Sequence, residues 1–281
     1  MTEQNKQLAF VFPGQGSQSV GMLAELSELY PEVKQTFAEA SKVLGFDLWQ
    51  MVSVGPAEDL NQTHNTQPAM LAAGVALWRI WNAKSDVKPA FMAGHSLGEY
   101  TALVCSGVLA FDDAIALVAE RGKLMQEAVP AGVGAMAAIL GLSDEQVIDV
   151  CANAAQGEVC SAVNFNSTGQ VVIAGHTDAV ERAMLAAKET GAKRAIKLPV
   201  SVPSHCALME GAADKLAEKM QAITFAEPNV VLLHNVDVAA HTEADEIRLV
   251  VKEQLFKPVR WVDTINALAE RGATTIVEMG P

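Results

Sequence analysis

The chain has 281 residues, of which 50% are hydrophobic, and a formal net charge of −13 at pH 7. That acidic balance argues against non-specific binding to nucleic acid or to an anionic membrane. The polar start of the chain is unlike a signal peptide, and no apolar stretch is long enough to span a bilayer. The 4 cysteines lack the spacing of a disulfide framework or of a zinc site. These features predict a soluble, cytoplasmic protein.

The first part of the chain alternates short apolar runs with helical patterns. Apolar runs of this type are typical of strands in a parallel sheet that is covered on both faces, and their alternation with helices predicts an α/β architecture. The strand-like runs cover 8–12 and 89–93, and the helical patterns cover 23–44, 70–81, 99–109 and 112–128.

The pattern changes after residue 130. The predicted order becomes strand, helix, strand, strand, helix, strand, which is the ferredoxin-like order. We therefore expect a hydrolase-like parallel-sheet subdomain, 1–128 and 203–281, interrupted by an inserted ferredoxin-like subdomain, 129–202. The inserted elements are strands at 135–140, 159–164, 170–174 and 193–199 and helices at 143–155 and 177–190. Helical patterns at 207–221, 246–255 and 262–271 and apolar runs at 230–233 and 274–277 complete the chain.

Gly94-His95-Ser96-Leu97-Gly98 lies between the second apolar run and a helical pattern. It matches G-x-S-x-G, the nucleophile elbow, in which a serine sits on a strained strand-to-helix turn. The two glycines remove Cβ atoms that would clash in that turn, and the following helix points backbone N–H groups at an oxyanion. The alternative is an ordinary glycine-rich loop at the end of a strand.

A serine nucleophile needs a base, and four histidines follow Ser96 in the chain: His176, His205, His234 and His241. His205 comes after a proline-containing segment that could form a loop over the elbow. The other three fit structural or solvated positions, but the residues alone leave the choice open. No carboxylate between Ser96 and His205 stands out as a third member of a triad.

Gly14-Gln15-Gly16 follows the first apolar run and invites comparison with a nucleotide-binding loop. The third glycine of G-x-G-x-x-G is missing, because residue 19 is serine, and no G-K-[ST] follows. We interpret the segment as a flexible loop whose backbone N–H can face the elbow.

Several segments together resemble the bacterial malonyl-CoA:acyl-carrier-protein transacylases. The resemblance runs from about residue 8 to the last residue, and several motifs at family spacing are more specific than one elbow. The segments are Phe12-Pro-Gly-Gln-Gly-Ser-Gln18, Asn65-Thr-Gln-Pro-Ala69, Gly94-His-Ser-Leu-Gly-Glu-Tyr100, Gly134-Ala-Met-Ala-Ala138, Gln170-Val-Val-Ile-Ala-Gly175, Val200-Ser-Val-Pro-Ser-His205, Gln254 and Glu278-Met-Gly-Pro281.

The resemblance implies a role for individual residues. Ser96 would attack the thioester carbonyl and carry the acyl group, and His205 would take its proton and return it to the departing thiol. The backbone carbonyl of Gln254, in place of an aspartate, would orient His205. The backbone N–H groups of Gln15 and Leu97 would hold the oxyanion.

Arg121 matches the family arginine that holds the malonyl carboxylate. A planar guanidinium binds a carboxylate through two parallel hydrogen bonds, which lysine cannot do. From the residues alone, the alternative is a surface arginine paired with Glu120 or Glu127.

The implied partners are malonyl-CoA and acyl carrier protein, with no metal or redox cofactor, since coenzyme A enters as part of the substrate. The family's carrier protein is acidic, so its docking on this acidic chain would need a local basic rim. The alternative for these residues is a solvated face. We also expect a monomer. The candidate rim residues are Lys193, Arg194, Lys197, Lys257 and Arg260.

Other functions remain compatible with the same serine and histidine. A thioesterase would use water as the acceptor, and a discrete polyketide-type acyltransferase would share the motifs. A catalytically silent module that binds acyl-CoA or carrier protein is a third possibility. The resemblance also implies a further helical segment beyond Pro281.

Overall fold

The computed structural model describes residues 4–130, 132–200 and 202–281, so residues 1–3, Ala131 and Ser201 lie outside the described part of the chain. Strands and helices alternate along most of its length. In chain order the elements are β1 (Gln4–Phe12), α1 (Ala24–Leu29), α2 (Pro31–Leu44), α3 (Leu48–Val54), α4 (Ala57–Leu60), α5 (Thr63–Lys84), β2 (Lys88–Gly94), α6 (Leu97–Cys105), α7 (Phe111–Ala128), β3 (Gly134–Leu140), α8 (Asp144–Ala155), β4 (Cys160–Ser167), β5 (Gln170–His176), α9 (Thr177–Glu189), β6 (Arg194–Lys197), a 3-10 helix (Ala207–Met209), α10 (Glu210–Met220), β7 (Val231–Leu233), α11 (Ala244–Glu253), α12 (Trp261–Glu270) and β8 (Thr275–Glu278).

The parallel sheet has the strand order β7-β2-β1-β8. Side chains alternate between its two faces, and both faces are buried at the central strands β1 and β2. Phe10 and Phe12 of β1 belong to the large core that α2, α5, α6 and α7 complete, whereas Ala9 and Val11 pack in a second core with Leu268 of α12. A strand buried on both faces must be apolar throughout, which explains the uninterrupted apolar runs in the sequence.

The antiparallel sheet has the strand order β4-β5-β3-β6. This order, with α8 and α9 packed on one face, is that of a ferredoxin-like unit. The predicted fold class is therefore confirmed. Every strand of this sheet lies within 129–202, and every strand of the parallel sheet lies outside it, but the subdomain boundaries themselves stay a prediction.

A backbone connection links the two sheet regions beside β4. The N–H of Phe165 donates to the carbonyl of Val259 at 3.0 Å, and the N–H of Val259 donates to the carbonyl of Val163 at 2.9 Å. The other face of the antiparallel sheet buries Met136 and Val172 together with Cys206. The segment around residue 205 thereby reaches the carboxyl ends of β1 and β2.

Several element boundaries differ from the prediction. The single helix predicted over 23–44 is wrong, because α1 ends at Leu29 and α2 begins at Pro31. Proline lacks an N–H and is suited to the first helical turn, so it starts a helix here and does not continue one. Helices α3 and α4 were not predicted, and the strand predicted over 193–199 spans only Arg194–Lys197. None of the helices in the described residues combines the length and apolarity needed to cross a membrane.

Candidate active site

The nucleophile turn joins β2 to α6. Ser96 lies just before Leu97, the first residue of α6, and has φ 50° and ψ −109°, a strained conformation for a residue with a Cβ. A Cβ on Gly94 would lie 1.9 Å from the backbone carbon of Gly98. A Cβ on Gly98 would lie 2.0 Å from the carbonyl oxygen of Phe12. Only glycine fits at either position, and the segment is an elbow, not an ordinary glycine-rich loop.

His205 faces the nucleophile from the segment that follows the antiparallel sheet. Its Nε2 lies 2.8 Å from Ser96 Oγ, and its Nδ1 lies 2.6 Å from the backbone oxygen of Gln254. Because a carbonyl oxygen only accepts, Nδ1 carries the proton, and the unprotonated Nε2 accepts from the Ser96 hydroxyl. This is the tautomer that a general base requires.

The surroundings of His205 keep its ring neutral. The side chain is buried, and burial together with the positive charge of Arg121 lowers its pKa to about 3. The hydrogen bond to Gln254 acts in the opposite direction. His205 is therefore unprotonated across the neutral pH range and available to accept a proton.

Arg121 lies on α7 with only 1% of its surface exposed, so the alternative of a surface arginine is wrong. Nη1 donates to Gln67 Oε1 at 2.8 Å, and Nη2 donates to Gln254 Oε1 at 3.0 Å. Nη2 also lies 3.4 Å from Ser96 Oγ. Burial lowers the pKa of Arg121, while Tyr100 and then Glu99 raise it. The guanidinium thus contacts neutral oxygens directly and points at the nucleophile.

A cavity of about 230 Å³ opens in front of Ser96. Gln15 and Leu97 line it together with Ser96, His205 and Arg121. Leu97 begins α6, so its backbone N–H is not used inside the helix. The opposite wall is apolar and comes from both sheet regions: Met125, Met136, Val172, Leu198, Val200 and Val202. The cavity can hold a short acyl chain in contact with both the nucleophile and the guanidinium.

The chain is similar to known proteins over almost its whole length. A family model described as "Acyl transferase domain" matches residues 9–281. The chain belongs to this acyl transferase family. The resemblance found in the sequence is thereby confirmed.

Individual relatives of the acyl transferase cover almost its whole length. The "Malonyl CoA-acyl carrier protein transacylase" of Salmonella typhimurium is 58% identical over 275 residues, covering 98% of this chain and 89% of the relative. The crystal structure of an acyl carrier protein S-malonyltransferase from Vibrio cholerae is 60% identical with a TM-score of 0.96, covering 98% and 90% of the two chains. A complex of a type II PKS acyl-carrier protein with its malonyl-transacylase gives 57% identity, a TM-score of 0.97 and coverage of 98% and 89%.

The other candidate histidines of the acyl transferase lie away from Ser96 Oγ. His234 Nδ1 lies 2.8 Å from Glu99 Oε1, and both side chains are fully buried. His241 pairs with Asp237 at 2.7 Å, and the N–H of Val159 donates to His176 Nδ1. Their roles are structural or solvated, as their sequence positions suggested. Among the described residues, no group of three or more His, Cys, Asp and Glu side chains is arranged to hold a metal ion.

Three of the five candidate rim residues form ion pairs with neighbouring carboxylates. Lys197 pairs with Glu181 at 2.7 Å, Lys257 with Glu253 at 2.6 Å, and Arg260 with Asp263 at 2.7 Å. Lys193 and Arg194 are exposed, and within the described part of the chain neither forms an ion pair. Lys193 and Arg194 are therefore the rim candidates whose charge no ion pair among the described residues offsets, and neither of them lines the cavity.

Sequence reasoning missed polar residues that complete the site. Gln67 holds Arg121, His95 Nε2 lies 2.8 Å from Asn166 Oδ1 at the cavity wall, and Asn235 contacts the nucleophile turn. A signal was available for Asn235, because it lies two residues after the last residue of β7. Polar residues at the carboxyl ends of parallel strands commonly line the site of an α/β sheet.

Proposed function

We propose that this acyl transferase moves a malonyl group from malonyl-CoA to the pantetheine thiol of an acyl carrier protein through an ester on Ser96. One observation carries the proposal: a buried guanidinium, whose direct contacts are neutral oxygens, lies 3.4 Å from the nucleophile. A buried cation of this kind favours an acyl group that brings its own carboxylate. The names of the relatives, malonyl CoA-acyl carrier protein transacylase and S-malonyltransferase, support the same substrates.

In the first half-reaction, Ser96 Oγ attacks the thioester carbonyl while its proton passes to His205 Nε2. The backbone N–H groups of Leu97 and Gln15 stabilise the oxyanion of the tetrahedral intermediate. The carbon–sulfur bond then breaks, and His205 returns its proton to the departing coenzyme A thiolate. The products are malonyl-Ser96 and free coenzyme A.

In the second half-reaction, the carrier protein's thiol gives its proton to His205 and attacks the ester carbonyl. The same N–H groups stabilise the second intermediate. The bond between carbon and Ser96 Oγ breaks, and the serine recovers its proton from His205. The Gln254 carbonyl holds the ring of His205 through both steps, so no carboxylate is needed as the third member of a catalytic triad.

Arg121 would act on rate as well as on binding. Its positive charge lowers the pKa of His205. A malonyl carboxylate bound to the guanidinium offsets that charge and raises the basicity of His205 when the correct acyl group is present. An acetyl group leaves the guanidinium unpaired and gives no such effect.

The chemistry proposed uses side chains and backbone groups of this chain alone, with coenzyme A as part of the substrate. All four cysteines are free and buried, which fits a reducing compartment, so we place the enzyme in the cytoplasm. We propose that the enzyme is a monomer. We also propose that 129–202 is a subdomain that closes one side of the cleft.

Intact-protein mass spectrometry after a short malonyl-CoA pulse tests the proposal. We expect a malonyl adduct that persists until a carrier-protein thiol is added, and no adduct on S96A. Rapid release of free malonate without any thiol would instead identify a thioesterase. Parallel assays with fatty acid and polyketide carrier proteins as acceptors distinguish the two synthetic pathways, and turnover that survives in S96A would exclude the serine mechanism altogether.

A further inference from the structure

Asn235 lies directly behind the nucleophile turn and is fully buried. Its Oδ1 accepts from the backbone N–H of Ser96 at 2.8 Å, and its Nδ2 donates to the carbonyl of Gly94 at 2.7 Å. One amide therefore bridges the backbone on both sides of His95. Asparagine suits this place because a single side chain offers an acceptor and a donor.

A buried carboxylate holds Asn235 from the other side. Glu99 lies in the first turn of α6 and is fully buried. Its Oε2 accepts from the backbone N–H of Asn235 at 3.1 Å and from Gln254 Nε2 at 2.8 Å, while its Oε1 lies 2.8 Å from His234 Nδ1. Three N–H donors surround the carboxylate, which satisfies a group that would otherwise be costly to bury.

The bridge acts where the backbone is strained. Ser96 has φ 50°, outside the usual range for a side chain with a Cβ, so the turn must be held by its surroundings. The Asn235 amide occupies the Ser96 N–H, and Gln254 Nε2 donates to the Ser96 carbonyl at 2.9 Å. Both polar groups of the Ser96 backbone are thereby engaged, and Oγ remains free to face His205.

We propose that Asn235 is a positioning residue that holds the Ser96 turn in its reactive geometry, and that the Glu99–His234 pair keeps Asn235 in place. The inference rests on the proposed function, since it concerns the same nucleophile. The three side chains lie behind the turn and do not line the acyl cavity. Their loss should therefore slow acylation without weakening the binding of the substrate.

The test compares N235A with the wild type in single-turnover acylation by malonyl-CoA. We expect the rate at saturating malonyl-CoA to fall by about tenfold to a hundredfold, because a small displacement of a reacting group has effects of that size. The Kd for malonyl-CoA, measured in an S96A background to prevent reaction, should change less than about twofold. The matched control is N82A, which also removes an asparagine that donates to a backbone carbonyl but lies at the end of α5; its acylation rate should stay at the wild-type value.

A second pair of variants tests the support and does not depend on N235A folding. H234F keeps a ring but removes the donor to Glu99, and should slow acylation several-fold at unchanged Kd. H234N can place an amide donor near the position of His234 Nδ1, and should keep most of the wild-type rate. An acylation rate close to wild type in H234N, together with a slower rate in H234F, supports the inference.

Two results would overturn it. Equal effects on rate and Kd in N235A or H234F would indicate a general structural role, and wild-type acylation rates in both variants would remove the positioning role. The proposed function fails differently: the wild-type enzyme would then form no malonyl adduct on Ser96 at all. The wild-type reaction is therefore measured first.

Discussion

At the scale of single residues, the site depends on a few groups whose environments differ sharply from water. Arg121 and His205 are both buried beside Ser96, and the charge of the first lowers the pKa of the second. Both side chains lie against Ser96 Oγ. A change at Arg121 is therefore expected to alter both the choice of acyl group and the basicity of His205. Each can be measured separately.

Replacement of Arg121 should change the choice of acyl group. R121A is expected to lower kcat/KM for malonyl-CoA by roughly tenfold to a hundredfold, the size of one or two charge-assisted hydrogen bonds. Acetyl-CoA should be affected far less, and R121K should be intermediate, because an ammonium group cannot form two parallel hydrogen bonds. Steady-state kinetics with both thioesters give the ratio. Equal losses for the two substrates would contradict the carboxylate role.

The rate of acylation should be insensitive to mildly acidic pH. Burial, and then Arg121, lower the pKa of His205 to about 3 from the usual 6.5, so the ring is already neutral throughout this range. We expect a flat profile of acylation between about pH 8 and about pH 5, and a higher His205 pKa in R121A that burial still holds below 6.5. NMR titration of the His205 ring measures that pKa directly. A rate that halves near pH 6.5 in the wild type would contradict the neutral base.

The lowered pKa of His205 also makes the stability of the fold depend on pH. The folded-state pKa lies below the unfolded value of 6.5, so the unfolded chain binds more protons between these two values. The contribution of His205 to stability is therefore complete above about pH 6.5 and decreases as the pH falls toward 3. Urea unfolding of wild type and H205Q across this range should show a smaller acid loss in the variant.

At the scale of elements, the close packing of β1, β2 and α6 makes the nucleophile turn possible. The carbonyl oxygen of Phe12 lies where a side chain on Gly98 would have to go. Asn235, just after β7, adds a third strand end to this arrangement. The turn is therefore held by the sheet as a whole.

A methyl group at position 98 should disrupt this packing. In G98A the new Cβ would meet backbone atoms of Phe12 and Pro13, which cannot rotate away, so we expect a loss of roughly 3 kcal/mol or more in the free energy of unfolding. The control is G211A in the first turn of α10, where an added Cβ meets nothing within 4 Å, and a gain of up to about 1 kcal/mol is expected. Urea denaturation compares the two, and similar stabilities would refute the steric argument.

At the scale of the whole molecule, a net charge of −13 opposes the approach of an acidic carrier protein. Lys193 and Arg194, at the start of β6, are the exposed rim cations without an ion pair among the described residues. From these two residues β6 runs along β3 toward Leu198 and Val200, which line the cavity. Local charge in this position can guide association even when the overall charge is unfavourable.

Reversal of these two charges should slow transfer to the carrier protein only. K193E/R194E is expected to lower kcat/KM for carrier protein about tenfold at low salt and to weaken its salt dependence. Acylation by malonyl-CoA should be unchanged in single-turnover assays. The control is K215E, an exposed lysine on α10. If the salt dependence of K193E/R194E equals that of the wild type, the rim is not the docking site.

The fold class could be predicted from the amino-acid sequence, because a strand buried on both faces must be apolar and because parallel and antiparallel sheets leave different orders of strands and helices along the chain. The elbow could also be located from the sequence, because G-x-S-x-G is a short contiguous motif, although the backbone that requires glycine at 98 belongs to Phe12 on β1. The helix boundary at Pro31 was not predicted: a single helix was expected there, whereas Pro31 begins a second one.

The contacts between residues far apart in the chain could not be predicted from the sequence. Ser96 Oγ contacts a histidine 109 positions later, and the Gln254 carbonyl that orients this ring lies a further 49 residues along the chain. Such contacts leave no periodicity in the sequence, because they depend on which strand ends become neighbours in the sheet. For the same reason, the hydrogen bonds by which Asn235 and Glu99 hold the nucleophile turn could be identified only once β2, α6 and β7 had been placed together.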